Sequence, residues 1–262
     1  MRPGLIEASA VEASALPAQA DISLSDIGLI SGLPVTARLS SNLPGSGVRF
    51  LYARTEHDTP VEIPATLEAV VNADRGVTLA DTSRRVTLSI VEHFLAACAM
   101  THRLDVTVRV MGAPELPLLD GSAAPWLEPL RRLPESIKCP SRFDFSKPLV
   151  YRHSDQIEII ALPDTHFKIT YAVDFDHPML RQRWCQWDAC QDSIEQLASA
   201  RTFGLVRELP VLQAQGLAKG VSLNNTLGLN EDGGTTTPLR MADEPIFHKM
   251  LDLIGDLTLA TG

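Results

Sequence analysis

Apolar positions along the chain change period several times, and each change predicts an element. In "TLSIVEHFLAACAMT" (87–101), Val91, Leu95 and Cys98 recur at helical spacing with Phe94 beside them. This helix runs into "LDVTVRVMG" (104–112), a β-branched alternation bounded by Gly112 and Pro114 that predicts a strand. Earlier, "IGLISGLPVTARLS" (27–40) and "GVRFLYAR" (47–54) read as strands broken by Gly and Pro turns. In "LDGSAAPWLEPLRRL" (119–133), Asp120 and Ser122 precede a helical pattern, the usual chemistry of an N-terminal cap.

A similar grammar follows in the second half. Strands at "DQIEIIAL" and "HFKITYAVDF" precede a helix over "DSIEQLASARTF" and a Gly- and Asn-rich loop region. A further helix, "PIFHKMLDLIGDLTLA", then leads to the end of the sequence. Between the halves lies "PESIKCPSRFDFSKP", with three prolines and little periodicity. The division predicted is a leader over 1–22, a first unit over 23–136, a linker over 137–147 and a second unit over 148–262. If the halves are structural repeats, the second lacks a strand and a helix.

Composition narrows the function. With 262 residues, 45% of them hydrophobic, the chain can bury one large core or two ordinary ones. A formal charge of −9 without a dense basic run argues against nucleic-acid binding. No segment approaches the length of a membrane span and the N-terminus lacks a signal-like apolar core, so a cytoplasmic location is expected. Cys98, Cys139, Cys185 and Cys190 fit neither redox nor zinc-ribbon spacing and read as reduced thiols.

The candidate chemistry lies on two helices. His248, Asp252 and Asp256 stand four apart on one stripe, so His248 and Asp252 can reach one ion. At the start of the other helix stand two polar residues, Glu92 and His93. Alone, each pattern also fits a solvated pair or a carboxylate placed by the helix dipole. Together they suggest His93 as a third ligand and Glu92 as a base, since three protein ligands leave zinc an open position. Neither metalloprotease spelling is present: there is no HExxH, and HxxEH would need a His at the position of Ser89.

Six segments, "VEHFLAACA", "PELPLLDGSAAPW", "DFDHP", "SARTFGLVRE", "GLAKGVSLNNT" and "HKMLDLIGDL", occur in order across about residues 25–260. In this the chain resembles the zinc-dependent UDP-3-O-acyl-N-acetylglucosamine deacetylases of lipid A biosynthesis. The resemblance implies an α+β fold of two α/β sandwich domains, each a small mixed sheet packed on helices, with the second incomplete. By the same resemblance, His93, His248 and Asp252 are the ligands of Zn²⁺, or of Fe²⁺ at the same groups. Glu92 is then the base, Thr202 an oxyanion-stabilising hydroxyl, and Asp256 the residue that orients a His further along the family's chain. Lys249 faces the anionic part of the UDP-linked substrate, and Phe203, Leu209 and Ser222 line the acyl passage.

His57, His102, His153 and His166 match no motif, and His177 of "DFDHP" is the reserve candidate for a general acid. Two departures stand out. Ile30 of "GLISG" replaces a His that the family places near the metal, and the family's segment carrying the general-acid His lies beyond Gly262. The implied activity is deacetylation of the acylated N-acetylglucosamine nucleotide; the sequence does not give the oligomeric state, and a monomer is the favoured expectation. The alternative is a catalytically silent relative that keeps the pocket without the acid.

Overall fold

The computed structural model describes residues 22–136 and 146–261. The expected leader, apart from Ile22 at the start of β1, and most of the expected linker therefore lie outside the described residues. In the first half the elements are β1 (Ile22–Ile27), β2 (Pro34–Ser41), β3 (Arg49–Ala53), β4 (Val61–Pro64), β5 (Val70–Asn72), β6 (Thr78–Ala80), β7 (Thr87–Ser89), α1 (Glu92–Thr101), β8 (Val106–Gly112) and α2 (Ala124–Arg131). In the second they are β9 (Leu149–Ser154), β10 (Ile157–Ala161), β11 (Lys168–Val173), β12 (Arg183–Asp188), α3 (Ile194–Ala198), β13 (Phe203–Leu205), α4 (Leu209–Ala214), β14 (Leu227–Leu229) and α5 (Glu244–Thr258).

A five-stranded mixed sheet, ordered β1-β2-β8-β3-β4, organises the first half. Its centre is β8, antiparallel to β2 and parallel to β3. Alternation explains its burial, because Val106, Val108 and Val110 point to the core while Thr107 and Arg109 do not. Val108 pairs with Leu39 on one side and Phe50 on the other. The ring of Phe50 meets that of Phe94 on α1 edge-on at 6.0 Å, and Phe94 meets Trp126 of α2 at 5.1 Å. The helix α1 is apolar almost all round and correspondingly buried. It ends at His102, which takes the left-handed conformation (φ 56°) while the N–H of Arg103 closes onto Cys98 O.

The second half holds three two-stranded sheets, β9-β10, β11-β12 and parallel β13-β14. Ile169 and Trp187 of β11-β12 are buried, whereas the β9-β10 hairpin leaves Leu149, Val150, Tyr151, Ile157, Ile159 and Ile160 exposed. The long helix α5 buries Ile246, Met250, Leu251 and Ile254 and packs along α1. The α+β class expected from the sequence is the one found, with small sheets packed on helices.

Two boundaries differ from the sequence reading. Residues 87–89 form β7 instead of the first turn of a helix, because Ile90 at φ 59° turns the chain before α1 begins. The helix expected after Asp120 and Ser122 does begin there, at Ala124: Asp120 accepts from the N–H and Oγ of Ser122, and Ser122 in turn accepts from the N–H of Ala124. The helix expected over 192–203 spans only Ile194–Ala198, capped by the Ser193 side chain, because residues 200–202 are drawn into contacts elsewhere. Within 27–40, a turn around Gly28–Gly32 splits two strands. The strands β4, β5, β6, β9, β12, β13 and β14 have no counterpart among the strands expected from the sequence.

Candidate metal and catalytic site

The N-terminal turn of α1 and the middle of α5 meet where two glycines leave room. Gly255 of α5 lies so close to α1 that an added β-carbon would overlap the carbonyl oxygen of Glu92. This accounts for a glycine inside a helix, where it is otherwise costly relative to Ala. Gly76, at φ 137°, lets the chain pass Glu92, and a β-carbon there would stand 3.0 Å from Oε1. The next residue, Val77, donates its N–H to Glu92 Oε2 at 3.1 Å. Just before α1, the β-branched Ile90 holds a left-handed backbone, an unfavourable conformation kept by its Val77 O hydrogen bond and by packing.

At this junction the Nε2 atoms of His93 and His248 lie 3.6 and 3.4 Å from Oδ1 of Asp252. The two rings meet edge-on at 4.9 Å. One ligand atom from each of the three residues falls within 4.8 Å of the others. Nδ1 of His248 is 3.0 Å from Ala200 O. A carbonyl only accepts, so Nδ1 carries the proton and Nε2 presents its lone pair to the cluster.

Asp252 Oδ1 is buried and has no hydrogen-bond partner among the described residues. A buried carboxylate oxygen without a donor is costly, and a divalent cation between it and two imidazole lone pairs would relieve that cost. Two nitrogens and one carboxylate oxygen form a donor set suited to zinc or iron. The residues fit a metal.

Electrostatics point the same way. Burial, then the neighbouring His248, pushes the His93 imidazole down to about 4, so it is neutral and able to coordinate near pH 7. Burial opposes ionisation of Asp252, yet His248, His93 and Lys249 hold its carboxyl below the ordinary range. Burial followed by the charge of Asp252 pushes Glu92 up to about 8 and Asp256 up to about 6. Negative charge is crowded here, as at a site for a cation.

A cavity of about 290 Å³ opens on this cluster. Leu29, Ala73, Arg75, Gly76, Val77 and Ile90 line it from the first half. The sequence-predicted residues Glu92, His93, Thr202, Phe203, His248, Lys249, Asp252 and Asp256 line it as well. Lys249 Nζ reaches Asp252 Oδ2 at 3.4 Å. Two candidates are absent from the lining: Leu209, half-buried at the start of α4, and Ser222, exposed. His177 is buried elsewhere, with Nε2 on Asn230 O at 2.8 Å and Nδ1 accepting from the N–H of Met179.

Other contributors escaped the sequence reading. Glu115 accepts from the N–H groups of Ile30 and Ser31 at 2.7 and 2.9 Å and so anchors the loop that presents Leu29 to the cavity. Ile30 itself does not line it. Only the glycines at 76 and 255 gave a sequence signal, since each sits where a side chain would have been the default.

A family model described as "LpxC: UDP-3-O-acyl N-acetylglycosamine deacetylase" matches residues 18–262. A UDP-3-O-acyl-N-acetylglucosamine deacetylase of Thermosynechococcus vestitus is 37% identical over 238 residues, covering 90% of this chain and 81% of that protein. The protein of the same name from Nostoc sp. is 34% identical over 241 residues, 89% of this chain and 84% of its own. That of Myxococcus xanthus is 35% identical over 245 residues, covering 90% and 75%.

Proposed function

Because this chain belongs to the UDP-3-O-acyl-N-acetylglucosamine deacetylase family, we propose that it removes the N-acetyl group of that sugar nucleotide in lipid A biosynthesis with zinc held by His93, His248 and Asp252. The observation that carries the metal assignment is the buried, unpartnered Oδ1 of Asp252 facing two imidazole nitrogens. When bound, zinc supplies Lewis-acid polarisation of the acetyl carbonyl and acidifies water. Iron at the same donors would supply the same chemistry.

The protein's own groups do the rest. Glu92 lines the cavity beside the ligands but is not one of them; burial and the charge of Asp252 raise its pKa, and once a cation held by Asp252 offsets that charge the Glu92 carboxylate is free to take a proton from the attacking water. The Thr202 hydroxyl donates to the oxygen that gains charge as the carbonyl carbon becomes tetrahedral. Cleavage of the C–N bond requires a proton on the departing nitrogen, and the proton held by Glu92 satisfies that balance. Asp256, one turn beyond Asp252, adds a carboxyl able to orient a donor.

Lys249 neutralises Asp252 and presents positive charge to the anionic substrate. We assign the acyl chain to the side of the cavity walled by Phe203, with Leu209 and Ser222 further along its course. The exposed Val206, Val211, Leu217 and Leu223 of the same segment support an apolar passage there. Among the described residues no helix is long and apolar enough to cross a membrane. Free thiols at Cys98, Cys185 and Cys190 support a reducing, cytoplasmic setting.

The test is to incubate the folded, zinc-loaded chain with the acylated UDP-N-acetylglucosamine and to measure the free-amine sugar nucleotide by mass spectrometry. Product that appears with the chain and is absent with His248→Ala supports the assignment. No product from fully loaded protein sinks it.

A further inference from the structure

The strap of residues 200–202 crosses behind the cluster, and each of its residues is committed to a different task. Ala200 offers its carbonyl to Nδ1 of His248, Thr202 lines the cavity, and Arg201 turns the other way into the protein. There it meets Glu244, whose side chain is fully buried. The backbone N–H and Nε of Arg201 donate to Oε1 at 3.0 and 2.8 Å, and Nη2 donates to Oε2 at 3.0 Å. Nη2 also reaches Pro238 O, and Nη1 reaches Thr237 Oγ1, both at 2.8 Å. Glu244 Oε2 accepts a further N–H from Arg240.

Glu244 stands four residues before His248, on the same face of α5 and one turn away. The strap is therefore fastened to α5 twice, by Arg201 on Glu244 and by Ala200 on His248. A buried ion pair is a poor way to gain stability, because desolvating both charges offsets much of their attraction. What it does well is fix direction. A bidentate guanidinium whose other nitrogens are also occupied has a single orientation, and the backbone on either side inherits it.

We propose that Arg201 and Glu244 are positioning residues for the metal site: their ion pair sets the Ala200 carbonyl that holds His248 with Nε2 facing Asp252 and His93, and thereby sets the affinity for the metal. This rests on the assignment of His93, His248 and Asp252 as ligands. Partners that orient a ligating histidine commonly change metal affinity by about 10- to 100-fold when lost. Thr202, the next residue, is held by the same strap, its N–H donating to Gly121 O at 2.7 Å.

The experiment uses the full chain and zinc alone, with affinity read by competition against a chromophoric chelator and the His248 tautomer read by imidazole ¹⁵N shifts of the metal-free protein. The variants are Arg201→Lys and Glu244→Gln, with Ile63→Ala in β4 as a control that destabilises the core away from the site. The expected result is a loss of zinc affinity of about 10-fold or more in the first two, together with a mixed Nδ1/Nε2 tautomer. The control should show neither change despite a lower Tm. Wild-type affinity and a wild-type tautomer in folded Arg201→Lys and Glu244→Gln would overturn the proposal while leaving the ligand assignment intact. Failure of the wild-type chain to bind zinc would instead sink the ligand assignment, and this inference with it. If neither variant folds, Thr237→Val decides, because it removes one anchor of the guanidinium. Affinity lowered beyond that of the control supports positioning, and unchanged affinity overturns it.

Discussion

The α-carbon of Gly255 on α5 rests against the backbone carbonyl of Glu92 on α1, with no room for a methyl group between them. That contact sets the separation of the helices that carry His93 and His248. Gly255→Ala should therefore destabilise the fold although Ala favours helix, because overpacking costs about 1–3 kcal/mol and outweighs the propensity gain. Chemical denaturation of the metal-free protein measures this, and an equal or more stable variant would show that the helices can part without cost.

In the proposed metal site, His93 is the ligand that the first half contributes. His93→Ala should lower zinc to well below one per chain and abolish the rise in Tm that zinc gives the wild type, since a ligand that binds only the folded state stabilises it by mass action. Metal analysis after gel filtration reads the first effect and a thermal melt the second. One tightly held zinc in this variant would place the ligand elsewhere.

Glu92 should be dispensable for holding zinc but not for catalysis. Glu92→Gln keeps the shape and the Val77 N–H contact, so zinc stoichiometry should be unchanged. Deacetylation should fall by about 10²-fold or more, as for loss of a general base. Activity within twofold of wild type would reduce Glu92 to a structural role.

Asp81 gives a prediction remote from the cavity. Its carboxylate accepts from Ser83 Oγ and from the N–H groups of Ser83, Arg85 and Val86, which hold its pKa down to about 2. A depressed folded-state value means stability that is present above the unfolded pKa and lost as pH falls through the folded one. Asp81→Asn should thus lower Tm at pH 7, and the difference from wild type should shrink as pH falls from about 4 toward 2. A constant difference across that range would mean that shape, not charge, organises the 81–86 turn.

The helices bearing the proposed ligands were legible for different reasons: α1 is a long apolar run opened by the two polar residues Glu92 and His93, and α5 has an apolar period of 3.6 crossed by His248 and Asp252 four apart. What the sequence hid depends on contacts between distant segments. Nothing local marks Ile90 for a left-handed backbone, and a β-branched residue is among the last expected there. The pattern over 192–203 looks helical throughout, but Glu244 captures Arg201 and Gly121 captures Thr202, and the helix stops at Ala198. Nothing in the sequence singles out Val77, just before β6, as the residue whose N–H holds Glu92.

The central claim is that hydrolysis depends on a metal held by His93, His248 and Asp252. Its most direct test is to titrate zinc into the metal-free, folded chain while following acetate released from the acylated UDP-N-acetylglucosamine. Acetate release should rise in proportion to bound zinc, level off at one equivalent and disappear on chelation. A rate independent of bound zinc, or a fully loaded chain that releases no acetate, would contradict it.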